Sequence, residues 1–131
     1  MTFKQLSLVS TAVMFTLCLT LLFTPMVIFK LFDVEETASA IFFTHRAAVL
    51  FLGLSIFVYS LKDVNNMKVR QSVCLSMAVM MLSLAALGVL EFMMGNSGVG
   101  IFLAIVGELT LGLLYTCKYR DYGWEARFWE S

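Results

Sequence analysis

Residues 71–94 read QSVCLSMAVMMLSLAALGVLEFMM, and this stretch decides the fold, because no charged side chain interrupts it before Glu91. A helix needs about 20 mostly apolar residues, at about 1.5 Å rise each, to cross the hydrocarbon layer of a bilayer. Working outward, residues 6–29, 41–61 and 99–119 satisfy the same length and composition. Three short connectors join the four stretches. Short connectors force sequential helices to run antiparallel. The expected fold is all-α: an integral membrane four-helix up-down bundle, one domain over residues 1–131, followed at its end by an interfacial tail over 120–131.

Composition agrees. A soluble domain is about half apolar and about a quarter charged, whereas this chain is 60% apolar and 14% charged. So few charges cannot build a water-facing surface. Nine basic residues balance nine acidic ones. Nucleic acid is thereby excluded as a partner, since it requires a basic face that displaces counterions. The chain's 12 Phe and 9 Met suit a lipid-exposed surface and an adaptable helix–helix core.

Lys and Arg in the loops set the orientation. Lys4 precedes the first span. Lys62, Lys68 and Arg70 join the second to the third, and Lys118, Arg120 and Arg127 follow the fourth. With four spans, all of these fall on one side. The other side carries Lys30 beside Asp33, Glu35 and Glu36, and the turn Gly95-Asn96-Ser97-Gly98. Both termini are expected in the cytoplasm, with the chain as a multi-pass protein of a bacterial inner membrane. Ala38-Ser39-Ala40 has the small-x-small pattern of a signal-peptide cleavage site. The apolar region before it exceeds the ~7–15 residues of a signal core, so the first helix is expected to be retained.

Local punctuation refines the spans. Thr24-Pro25 lies late in the first, where proline removes a backbone hydrogen bond and a kink is expected. Gly53, Gly88, Gly100, Gly107 and Gly112 are candidate sites of close backbone approach, and Gly100-x-x-x-Ala104 forms a small-x-x-x-small pair. The tail is aromatic and of mixed charge, from Tyr119 through Tyr122, Trp124, Phe128 and Trp129. Aromatic rings of this kind favour the headgroup level, and a docking peptide for a larger partner is the alternative reading.

Candidate functional residues are the ionisable groups inside the spans, which are costly in lipid and therefore informative. At 1.5 Å per residue, Arg46 lies about 8 Å below the outer entry of the second helix and Glu91 about 5 Å below the same surface. Similar depth makes an Arg46–Glu91 pair the expected arrangement. Glu108 sits about 13 Å into the fourth helix, near the midplane, where it must be paired, hydrated or protonated. His45 borders this group. Thr16, Thr20 and Thr24 form a hydroxyl stripe on the first helix, and Tyr115 shares a face with Glu108. Together Arg46, Glu91, Glu108, His45, Thr20 and Tyr115 are the expected intramembrane polar pocket. Two readings stay open for it: a functional cavity, or an ion pair that fixes helix register.

Other chemistries find little support. Cys18, Cys74 and Cys117 pair at no metal-ligand or redox spacing, and they read as small apolar thiols. His45 with Met93 or Met94 could be drawn as a haem or copper site, although a Met-rich chain produces such coincidences readily. Gly95-Asn96-Ser97-Gly98-Val99-Gly100 has no Lys and no preceding strand, so it is no phosphate loop. No nucleophile with a paired base is visible, so no catalytic residue is assigned, and no metal or cofactor is expected.

Three features resemble those of small bacterial four-helix inner-membrane proteins of the DoxX-like kind. They are Thr24-Pro25 closing the first helix, an arginine early in the second (Arg46-Ala47-Ala48-Val49-Leu50-Phe51-Leu52-Gly53-Leu54), and a glutamate in the last (Gly107-Glu108-Leu109). In that group a glycine often follows the arginine closely, where this chain has Ala47 and Ala48. The resemblance implies the four-helix membrane fold and no particular activity.

The function expected from sequence is a non-enzymatic accessory or interaction subunit of a membrane complex. Its partners would be the lipid bilayer and either another membrane protein or a second copy. The alternatives are proton-linked small-solute transport through Glu108 and Arg46, and a bundle that binds a lipid, quinone or haem between its helices.

Overall fold

The computed structural model describes residues 1–130, with the side chains of Ala126, Phe128, Trp129 and Glu130 left aside. Every element is helical: α1 Phe3–Phe23, α2 Pro25–Phe32, α3 Ala38–Ser60, α4 Met67–Met93 and α5 Ile101–Glu130. Four of these, α1, α3, α4 and α5, are long and apolar enough to cross a membrane.

The starts of three long helices follow from capping. The Thr2 hydroxyl accepts from the Gln5 backbone N–H while the Gln5 side chain accepts from the Thr2 N–H, a reciprocal box that satisfies two otherwise orphaned donors. Thr37 caps α3 by accepting from Ala40, and Asn66 caps α4 by accepting from Lys68 and Val69.

Proline breaks the first span outright. The expected continuous helix over 6–29 is instead α1 and a separate α2, divided at Thr24 (φ −135°, ψ 55°). Pro25 cannot donate to residue 21 and disfavours helical geometry in the residue before it. The same proline is well placed at the first position of α2. Asp33 then stops α2 in the left-handed region at φ 53°.

The long helices pair two by two, each with a neighbour in chain order. The extensive contacts are α1 with α3 and α4 with α5, with a narrower contact between α1 and α5. Although residues 61–66 join α3 directly to α4, these two helices make no extensive contact with each other. Gly88 sits against Ile105 and Gly112 against Leu82, so a Cβ at either would come within 2.9 Å of its neighbour; these glycines let α4 and α5 approach closely. Gly53 and Gly107 behave otherwise. Nothing lies within 4 Å of a Cβ built at either, so they pack against no neighbour.

Contacts at each end tie the pairs together. At one end, hereafter the terminal end, Lys4 pairs with Asp63 at 2.9 Å and the Phe3 and Tyr122 rings meet edge to face at 6.2 Å. These join the start of α1, the 61–66 loop and the last part of α5. At the other, the turn end, the Gly98 N–H donates to the Phe32 carbonyl at 2.6 Å. A Cβ at Gly100 would collide with the Leu31 carbonyl oxygen, so only glycine lets α2 lie so close to the 94–100 turn. Gly95 makes that turn at φ +79°. The last helix does not end near residue 119 but continues to Glu130. Tyr122 is buried against Phe3, whereas Trp124 is exposed. The part of the aromatic-tail reading that rests on Phe128 and Trp129 lies outside the described side chains.

The core occupies the terminal half. Phe3, Leu6, Met14, Val58, Cys74, Met77, Met81, Leu111, Tyr115 and Tyr122 form one buried cluster drawn from α1, α3, α4 and α5. Dispersion between close-packed side chains is what such a cluster contributes.

Candidate functional site

Against one side of that core, and extending toward the turn end, the helices part. A cavity of about 520 Å³ opens between the α1–α3 and α4–α5 pairs. Val9, Val13, Leu17 and Leu21 of α1 form one wall, and Leu103, Ala104, Gly107 and Glu108 of α5 the facing one. Met81 and Leu84 of α4 and Phe51 of α3 flank them, while Ile28 and Phe32 of α2 close the turn end. Local sequence explains the space. The break at Pro25 brings α2 over the turn end, and Ala104 and Gly107 leave the α5 wall thin.

Glu108 is the one ionisable side chain in this wall. It is half-buried and makes no hydrogen bond or ion pair among the described residues. Thr110, the other polar residue there, donates to the Val106 carbonyl at 2.7 Å and has no proton left to offer.

The remaining residues of the expected pocket lie elsewhere. Arg46 does not meet Glu91. It is exposed on α3, with its guanidinium 5.6 Å from the Phe42 ring centroid on the same helix. Glu91 is half-buried at the end of α4 and accepts from the Asn96 Nδ2 at 2.8 Å. Equal depth failed to produce contact because α3 pairs with α1 and not with α4. His45 is exposed beside Arg46, and Met93 and Met94 are exposed at the turn end. Among the described residues no three His, Cys, Asp or Glu side chains cluster as metal ligands would.

The threonine stripe is satisfied locally. Thr16, Thr20 and Thr24 each donate to the carbonyl four residues earlier, at 2.8, 2.9 and 3.2 Å. Thr20 is half-buried, and α1 faces the cavity with valines and leucines instead. Tyr115 is fully buried in the terminal half, where its hydroxyl donates to the Ser10 Oγ at 2.7 Å and clamps α5 to α1. The adjacent Ser7 hydroxyl is buried with no partner among the described residues.

Sequence reading passed over Arg70, counted there only as a loop charge. Its Nε donates to the Val64 carbonyl at 2.6 Å, and its guanidinium lies 5.3 Å from the Phe3 ring and 6.0 Å from the Tyr122 ring. One cation thus gathers α1, the 61–66 loop, α4 and α5, by a hydrogen bond and by attraction to ring faces. The available signal was an arginine one turn into a helix behind an Asn cap, between an aromatic N-terminus and an aromatic tail. Nearby, hydrogen bonds from Lys4 and then Lys62 hold the Asp63 carboxyl below its ordinary range, and the bond to Asp63 raises the Lys62 ammonium.

The least covered surface belongs to α3. Only 17% of its most apolar window is buried, against 39% for α4. Phe43 and Leu50 are 67% and 70% exposed, and His45 and Arg46 lie in the same stretch. The three cysteines are free thiols, with Cys18 and Cys74 buried and Cys117 exposed.

No family model, curated protein or solved structure matches the chain.

Proposed function

We propose that this chain is a four-span, up-down protein of a bacterial inner membrane, with both termini in the cytoplasm, serving as a non-enzymatic accessory or interaction subunit. The spans rest on length and apolar composition. The orientation rests on the basic residues gathered at the terminal end.

The observation that carries the interaction reading is the outward face of α3. A cation in the apolar part of a bilayer is costly and is normally paired or turned toward an aqueous path. Arg46 has no carboxylate partner among the described residues and projects from a lightly covered helix beside His45. A second membrane protein, or a second copy, that offers an acidic or aromatic group at that level would compensate it.

Mild-detergent extraction from native membranes, followed by size analysis and crosslinking, tests this. The expected result is a complex larger than the monomer, weakened by joint substitution of His45 and Arg46 with leucine. Recovery of monomer alone, or a complex that ignores both substitutions, would refute it.

A second reading is favoured by the cavity: a bundle that binds a small apolar molecule between its helices, as transporter or carrier. Glu108 serves that reading from the cavity wall. Arg46, on the outward face of another helix, plays no part in it.

A further inference from the structure

We propose that the cavity between the helix pairs is a binding site for a lipophilic organic monocation, held by the Glu108 carboxylate. This rests on the second reading above and commits it to a ligand class.

The size and chemistry of the cavity narrow the class of ligand it accepts. Its volume, about 520 Å³, falls within the range of ~300–1,000 Å³ typical of small-molecule sites. The lining is apolar except at Glu108 and Thr110. A quinone or a lipid phosphate needs hydrogen-bond donors or cationic side chains. The wall holds no Lys, Arg or His, and the Thr110 proton is already given to Val106, so the one donor left for a quinone is Glu108 in its protonated form, the arrangement that quinone binding in the test below would reveal. A bare metal ion needs several oxygen ligands, and here one carboxyl group stands alone. An organic anion would meet Glu108 with no compensating charge.

An organic cation satisfies every feature at once. Its charge compensates the one carboxylate, and a carboxylate otherwise left alone in apolar surroundings gains most from such a counter-ion. Its apolar body fits walls of valine, leucine and methionine. Phe32 and Phe51 are in the same lining, and aromatic rings attract cations through their faces. One carboxylate matches a single positive charge.

Access comes from the side. The exposed lining residues, Val9, Val13, Leu103, Gly107 and Thr110, belong to α1 and α5, whose mutual contact is narrow. A molecule already dissolved in the membrane can therefore enter along the α1–α5 seam without crossing water.

The test uses the full chain in lipid nanodiscs and equilibrium dialysis with tetraphenylphosphonium. Tetraphenylborate, of the same shape and opposite charge, and a short-chain quinone serve as comparisons. Saturable binding of tetraphenylphosphonium alone is expected, weakened roughly tenfold or more by Glu108→Gln. Gly107→Leu keeps the carboxyl and adds bulk to the lining next to Glu108, where nothing lies within 4 Å of a Cβ, and it should weaken binding strongly. This second variant keeps the test decisive if Glu108→Gln fails to fold. Equal uptake of both tetraphenyl ions, or cation binding indifferent to both substitutions, overturns the proposal. Saturable quinone binding that Gly107→Leu removes, without cation binding, overturns the cation assignment and leaves the cavity reading standing. No saturable binding of any probe overturns both.

Discussion

The two halves of the interior differ sharply, although both are built from the same apolar residue types. In the terminal half, large side chains reach between helices and most polar groups find partners: Tyr115 on Ser10, Arg70 on the Val64 carbonyl and two aromatic rings, Asp63 between Lys4 and Lys62. Toward the turn end, aliphatic walls face each other across open space, and the one carboxyl in the cavity lining, Glu108, has no partner among the described residues. Two local features separate the halves. Pro25 ends α1 early and starts a short helix that covers the turn end, and Ala104 and Gly107 carry too little side chain to fill the gap.

Substitutions can break that contrast. The largest effect should come from Tyr115→Ala, which carves a void into the packed half and leaves the Ser10 hydroxyl without its donor. Loss of a buried aromatic costs about 3–5 kcal/mol, read as a lowered unfolding midpoint in detergent. A midpoint unchanged within error would mean that the terminal half is not the stabilising region.

Gly100→Ala should come next. The added methyl would occupy the Leu31 carbonyl's place, so α2 must move off the 94–100 turn at a cost of about 1–3 kcal/mol. A cysteine placed on α2 should then label faster with a water-soluble reagent, while the Phe3–Tyr122 contact at the opposite end persists. Equal labelling would show that α2 does not cover the turn end.

Asp63→Asn should do least, because its ion pairs are exposed and water screens them. Its carboxyl titrates below the ordinary carboxylate value in the folded state. The small stabilisation it gives is therefore present above the unfolded-state value and lost as pH falls through the folded one. Wild type and variant should converge in acid, and a difference that grew on acidification would contradict the assignment.

Much of this was legible in the residues. The four long helices follow from apolar length, and the interruption at Thr24-Pro25 was visible, although a kink was expected and a full break is observed. The site was read less well. Arg46 and Glu91 share a depth, and depth follows from counting residues along a helix; contact also requires neighbouring helices and facing side chains. Glu108 stands out in the sequence as an ionisable residue near the middle of an apolar span, and in the structure it has no ion-pair partner among the described residues. Its companions Leu17, Leu21 and Phe51 carry no signal that distinguishes them from any other apolar residue. Tyr115, placed beside Glu108 by helical spacing, faces the packed half instead.

The sequence by itself determined how many long apolar helices exist, where proline and the capping residues begin and end them, and which side chains carry charge inside them. Those properties depend on short stretches of chain read one at a time. The tertiary structure alone decided that α3 pairs with α1, that α4 pairs with α5, and that a cavity remains between the pairs. The physical reason is that the four long helices are apolar around nearly their whole circumference. No amphipathic stripe tells such a helix which face to turn inward. Contacts between small and large side chains, such as Gly88 on Ile105, Gly112 on Leu82 and Gly100 on Leu31, make that choice, and they exist only once the helices have met.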